Sequence, residues 1–178
     1  MEKRKSEPAD GYRSTLRKAF FVVLSLLAAL FAGCSSIDCP LNNMVYTTYL
    51  VCGSDGARDT LRDTLTVTTT SIEGYEQVVL NMDVDIDSFT LPISYTQETD
   101  VFYIELHDSL YNYRYDTLSV SKTNVEHFES IDCTPSFFHT ITGVTYTRNA
   151  IDSIVINDTE VNYDTSKKHF KIFFRTDD

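Results

Sequence analysis

The chain has no tryptophan, and after residue 33 it is short of lysine, arginine, alanine, leucine and glutamate. Without tryptophan, a carbohydrate-stacking site lacks its best ring. Residues 1–33 hold six of the basic and three of the acidic residues, so their removal takes the formal net charge from −11 to −14. So acidic a chain offers no basic patch to nucleic acid and no electrostatic grip on anionic lipid. No G-x-S-x-G, Walker or H-E-x-x-H pattern occurs, and the four histidines lie in different segments. No catalytic residue, cofactor site or metal site is therefore assigned, and the chain is read as non-enzymatic. The shortage of helix formers fits the lack of any amphipathic helix after residue 33. The longest apolar run, Ala19 to Gly33, has 15 residues, short of the roughly 20 needed to span a bilayer.

That run follows a basic segment containing Lys3, Arg4, Lys5, Arg13, Arg17 and Lys18. A basic stretch and then a short apolar one read as a secretory signal over residues 1–33. Ala32 and Gly33 directly before Cys34 resemble the lipobox of bacterial lipoproteins, with Phe31 where leucine is usual. The resemblance implies cleavage before Cys34, diacylglycerol on its sulfur and an acyl chain on its new amino group. Several acyl chains would make the lipid bilayer a lasting partner, where one binds only marginally. Residues 34–43 then form a tether and 44–178 a domain.

The domain is rich in Thr, Val, Ile, Tyr and Phe, which favour strands. Period-two alternation recurs along it. Met44 to Cys52 forms the first strand. Leu65 and Val67 share a face opposite Thr64, Thr66 and Thr68. Further on, Met82, Val84 and Ile86 alternate with Asp83, Asp85 and Asp87. Phe89, Leu91, Ile93 and Tyr95 share a face, and Pro92 on the other marks an edge or a bulge. Phe102, Ile104 and Leu106 follow, then Leu118 and Val120, then segments at 137–147, 152–157 and 169–174. Short strands separated by turn signals predict an all-β fold. We expect a single immunoglobulin-like β-sandwich of about nine or ten short antiparallel strands, preceded by the signal-peptide helix.

With Cys34 lipidated, Cys39, Cys52 and Cys133 allow one bridge and one leftover thiol in an oxidising compartment. Cys52 has the parity of Met44, Tyr46 and Leu50 and reads as a small buried apolar residue. Cys39 and Cys133 each close a Ser-Ile-Asp-Cys tetrapeptide beside a proline, outside regular alternation. The expected bridge is Cys39–Cys133. In order, DSFTLPISY, YDTLSV, FESIDC and DSIVINDTEVNYDTSKKHFKIFF resemble the pattern of an uncharacterised family of small Bacteroidota lipoproteins, over residues 34 to 174. The resemblance implies a lipidated cysteine closely followed by a second one. It supports the Cys39–Cys133 pair, leaves Cys52 as an addition and brings no activity. Ser35 to Cys39 lacks the acidic run associated with surface display in such lipoproteins. A cell-envelope protein of the outer membrane facing the periplasm is expected.

Tyr111, Tyr113 and Tyr115 fall at period two, and Leu118 and Val120 have the opposite parity. On an unbroken strand the tyrosines face away from the core and offer a row to a protein or glycan partner. A bulge near Asp116 would instead turn them inward. The alternating carboxylates of Asn81 to Asp87 raise a calcium-stabilised adhesion module, but Ile86 stands where a calcium loop needs glycine. A strand with a wet acidic face is the preferred reading there. His127, Cys133 and His139, six apart, raise zinc without a fourth ligand. Because sequence does not place Asp and Glu in space, a small envelope hydrolase stays as the alternative to a binding or structural role. Eight of the 17 aspartates precede Ser or Thr, and five of those continue to Leu or Ile. The hydroxyls of Thr60, Thr64, Ser109, Thr117 and Ser153 in these five triplets resemble the O-glycosylation sites of exported Bacteroidota proteins. A turn aspartate followed by a strand start gives the same triplet.

Overall fold

A computed structural model describes residue 18, residues 20–23, residue 39 and residues 44–71, 73–128 and 130–175. Cys34 and most of the proposed leader and tether lie outside the described residues. Residues 20–23 are helical and exposed, and no helix among the described residues is long and apolar enough to cross a membrane. The chain divides into two compact units, Met1–Asp38 and Cys39–Asp178.

The second unit is a β-sandwich of two packed sheets, compatible with an immunoglobulin-like arrangement. Its strands are β1 (Tyr46–Val51), β2 (Thr64–Thr70), β3 (Glu76–Asp83), β4 (Ser88–Pro92) and β5 (Thr99–His107). They continue with β6 (Tyr113–His127), β7 (Ser136–Tyr146), β8 (Ile151–Ile156), β9 (Glu160–Val161) and β10 (Phe170–Phe174). One sheet has the order β4-β1-β10-β8 and the other β3-β2-β5-β6-β7-β9. Pairing is antiparallel except between β1 and β10, which corrects the expectation of antiparallel strands throughout. Parallel neighbours cannot be joined by a tight turn, and here the whole domain is the connection. Pro92 ends β4, an edge strand, where a missing N–H costs no ladder bond.

The alternation read from the sequence holds where both faces are unambiguous. Leu65, Val67, Phe102, Ile104, Leu106, Leu118 and Val120 are all buried. From the other sheet, Tyr49 stacks between Phe89 at 4.9 Å and Phe170 at 4.7 Å. Parity fails in β1. Its core side is Val45, Thr47, Tyr49 and Val51, while Met44 and Tyr46 are exposed. Thr47 is buried because its hydroxyl donates to the Leu91 carbonyl at 3.2 Å, so a polar residue conceals the core face. Cys52 is buried all the same, at a bridge to Arg58 just past the strand.

The acidic strand through Asp87 is also corrected. β3 ends at Asp83, and Met82 and Asp85 adopt left-handed backbone with φ of 53° and 55°. The register against β2 shifts between Leu65 and Val67, a bulge that breaks the alternation. Met82 and Val84 are exposed, and Ile86 is only partly buried against the core.

Four buried polar side chains, Asp116, Asp100, Lys122 and His169, tie the sandwich together. The Asp116 carboxylate, on β6, accepts four hydrogen bonds from the corner where the chain crosses from one sheet to the other. These come from Thr147 Oγ1 at 2.5 Å, Asn149 N at 2.9 Å, Ala150 N at 2.6 Å and Ile151 N at 2.7 Å. Burial pushes its pKa up, but these bonds outweigh that and hold it below the ordinary carboxylate value. Lys122 pairs with Asp100 at 2.7 Å and donates to the Gln97 carbonyl at 2.6 Å. His169 accepts from Thr48 N at 2.9 Å through Nδ1, leaving Nε2–H to donate to the Glu160 carbonyl at 3.2 Å.

Cys39 and Cys133 form a disulfide with 5.5 Å between Cα atoms. Cys52 is a free, buried cysteine. The closed loop spans 94 positions, and loop entropy gives a stabilisation of about 4–5 kcal/mol. Non-reducing peptide maps should recover residues 39 and 133 linked, and reduction should cost about 2–5 kcal/mol in chemical denaturation. A linkage through Cys52, or an unchanged midpoint on reduction, would contradict this.

Asp116→Asn should destabilise the domain by about 2–4 kcal/mol at neutral pH, because an amide meets N–H donors that need an acceptor. The folded pKa of Asp116 is depressed. Its contribution is therefore complete above the unfolded value of about 4 and fades as pH falls through the folded one. The gap between the variant and the natural protein in urea midpoints should narrow in acid. A gap independent of pH would show that the charge is not the cause.

Candidate functional site

β6 runs unbroken from Tyr113 to His127. With Leu118 and Val120 buried, Tyr113 and Tyr115 must face outward, and no bulge at Asp116 reverses them. On β5 the buried Phe102, Ile104 and Leu106 turn Tyr103, Glu105 and His107 to the same outer face, where His107 is itself buried against the rings of Tyr111 and Tyr113. Register then assembles a grid. Thr64, His107 and Tyr113 lie in one cross-strand row. Thr66, Glu105 and Tyr115 make the next, and Thr68, Tyr103 and Thr117 the third.

The rings form a continuous run. His107 lies 4.9 Å from Tyr113 and 5.7 Å from Tyr111, and Tyr113 lies 6.3 Å from Tyr115. Tyr111, Tyr113 and Tyr115 are 71%, 48% and 57% exposed, large for rings in neighbouring contact. Tyr111 sits in the β5–β6 turn with φ of 62°, a costly conformation for an aromatic residue. Asp108 holds it there. Its carboxylate accepts from Leu110 N at 2.8 Å, Asn112 N at 3.0 Å and Asn112 Nδ2 at 2.7 Å. The Asn112 N–H and amide chiefly keep the Asp108 pKa below its usual value.

Beside the tyrosines lies a shallow concavity of about 240 Å³, lined by Thr66, Thr68, Glu76, Tyr103, Glu105 and Tyr115 among others. The Tyr115 phenol is pushed up by desolvation, then by the Glu105 carboxylate and Tyr113. The face therefore offers aromatic rings, threonine hydroxyls and two carboxylates. Such a surface stacks on flat groups and accepts hydrogen bonds from N–H or O–H donors.

The other sequence-derived groups are dispersed. Cys133 is in the disulfide, and His127 stacks on Phe138 at 4.2 Å. His139 bonds Asn124 at 2.7 Å, with its pKa pushed down to about 4 by burial and then by Lys122. Asp87 pairs with Arg58 at 2.5 Å. Among the described residues, no three His, Cys, Asp or Glu side chains converge as a metal site.

Of the candidate glycosylation residues, Thr60 and Ser109 are exposed, while Thr64, Thr117 and Ser153 are partly buried. Their aspartates have structural partners. Asp59 accepts from Thr60 N, Asp63 pairs with Arg114, Asp152 pairs with Arg148, and Asp108 and Asp116 build the turns above. Leu61, Leu65, Leu118 and Ile154 are buried, whereas Leu110 is exposed.

Sequence reasoning found the tyrosines of β6 but not Tyr103, Glu105 and His107. Their alternation with Phe102, Ile104 and Leu106 was visible, but their place beside the tyrosines is a matter of register. A family of unknown function, DUF6452, matches residues 64–174, and the chain belongs to that family. No curated protein and no solved structure matches it. The matched segment runs from β2 to β10 and includes the whole grid and Cys133.

Tyr113→Ala and Tyr115→Ala should each move stability by no more than about 0.5–1 kcal/mol, as for outward positions. Leu118→Ala, on the same strand, should cost about 2–5 kcal/mol. Urea denaturation of the three variants tests the facing of β6, and equal losses in all three would overturn it.

Proposed function

We propose that the protein is a lipid-anchored component of a bacterial cell envelope, of the Bacteroidota lipoprotein kind. In this reading it sits on the outer membrane facing the periplasm and holds a protein or glycan partner without catalysis. The exposed run of Tyr111, Tyr113 and Tyr115 beside Tyr103 and Glu105 carries the binding part. Surfaces of clustered exposed rings usually serve a partner, and the strained Tyr111 backbone belongs to the same face. The basic segment, the apolar run and Ala32-Gly33-Cys34 support the anchor. The Cys39–Cys133 disulfide suits an oxidising compartment. Of the candidate glycosylation residues, the exposed Thr60 and Ser109 are the ones we assign to modification.

Cys34→Ser should leave an unprocessed precursor or release the protein from the membrane fraction. Intact mass of the native-host protein should show the acyl chains, and sugar increments if Thr60 or Ser109 is modified. A Cys34→Ser protein that is cleaved and membrane-bound as usual would remove the anchor. For the binding face, a Tyr111→Ser, Tyr113→Ser, Tyr115→Ser protein should stay anchored and folded yet lose its crosslinks to envelope components. Crosslinks identical to those of the natural protein would remove the face from the function.

A further inference from the structure

The end of β6 remote from the tyrosines carries a second feature, which the binding face leaves unused. There Val125, near the end of β6, and Phe128 and Ile131, in the β6–β7 connection, are exposed, the last at 98%. At the same end of β6, Tyr95 accepts from the Asn124 amide through its carbonyl at 3.1 Å, stacks on Phe137 at 5.1 Å and is exposed. Ile131 is held outward rather than left loose. Cys133 N donates to the Ser130 carbonyl at 3.1 Å, closing a turn around Ile131, and the disulfide fixes that turn to Cys39. Isoleucine at the apex of a fixed turn contributes nothing to the core, and its exposure costs solubility.

We infer that this tip, Val125, Phe128 and Ile131 with Tyr95, docks into the surface of the phospholipid bilayer that holds the anchor. The inference rests on the lipidation of Cys34 proposed above and goes beyond it. Cys39 is the fifth residue after Cys34, and five residues extend at most about 18 Å. The disulfide passes that constraint to Cys133, two residues from Ile131. An acyl chain in the bilayer therefore keeps this tip within reach of the interface. Glu126 and Glu129 alternate with the apolar residues along the chain and Asp132 follows them, so the contact is apolar insertion at a zwitterionic surface rather than attraction to anionic headgroups. β6 rises about 3.3 Å per residue, so its 15 residues carry the tyrosine row well clear of the membrane.

The chain has no tryptophan, so a single introduced one reports alone. The experiment uses the full lipidated protein reconstituted in phosphatidylethanolamine–phosphatidylcholine vesicles, with and without bromine on the phosphatidylcholine acyl chains. One variant is Ile131→Trp. The other is Leu110→Trp, in the turn at the opposite end of β6 and also exposed. Ile131→Trp should show blue-shifted emission that brominated lipid quenches by about half or more, as for a side chain at the acyl boundary. Leu110→Trp should be unaffected. If the protein floats with the vesicles but Ile131→Trp is not quenched, the docking is overturned and the anchor stands. A blue shift without bromine quenching would mean that a second copy covers the tip, and would also overturn it. If the protein does not float at all, the anchor itself fails, and the docking with it.

Discussion

The Asp116 carboxylate sets where the chain leaves one sheet for the other. It projects from β6 and gathers the N–H groups of Asn149, Ala150 and Ile151 with the Thr147 hydroxyl. A corner between sheets cannot satisfy its own backbone donors through a ladder, and buried N–H groups without acceptors are costly. One charged acceptor with two oxygens meets that need in four bonds. Arg114, two residues earlier on the same strand, reaches Asp63 at 2.8 Å and the Arg175 carbonyl at 3.2 Å. It thus links the start of β2 to the chain just beyond β10. β6 is therefore the member to which both sheets are fastened, and its facing at Tyr113 and Tyr115 follows from that fastening.

The other buried polar groups repeat this logic at different joints. His169 stands just before β10 and bonds β1 through its backbone and its ring, while its far nitrogen reaches β9 in the other sheet. Burial, the largest influence, lowers its pKa. The ring is neutral in the fold, and protonation would remove the acceptor that Thr48 N–H requires. For both His169 and His139 the folded pKa lies below the unfolded one. Their contributions are complete at high pH and decline as pH falls below the unfolded value of about 6.5. The Asp100–Lys122 pair closes the 94–98 loop over β6, with Ser94 N donating to Asp100 at 3.0 Å. Losing one partner of such a pair leaves an uncompensated buried charge.

The two ends of β6 divide the chemistry. At one end a rigid turn built by Asp108 presents rings and carboxylates. At the other a turn closed by Cys133 presents aliphatic and aromatic side chains without a core to cover. Much of this was legible residue by residue. The parity of Leu118 and Val120 put the tyrosines outward on condition of an unbroken strand, which β6 is, and the twin Ser-Ile-Asp-Cys segments marked the disulfide. The parity of β1 was not legible, because Thr47 enters the core on the strength of one hydrogen bond. Nor was the end of β3, since left-handed Met82 and Asp85 break a pattern that hydropathy alone continues.

The sequence by itself determined the class of fold, the positions of most strands and the pairing of Cys39 with Cys133. Period-two alternation and local punctuation are properties of neighbouring residues, and they survive without knowledge of the rest. The tertiary structure alone decided that β1 and β10 run parallel and that Asp116 receives the corner at residues 147–151. It alone brought Thr66, Glu105 and Tyr115 into one row. Those facts depend on register and on pairing across long stretches of chain, where a shift of one residue would put every side chain on the other face.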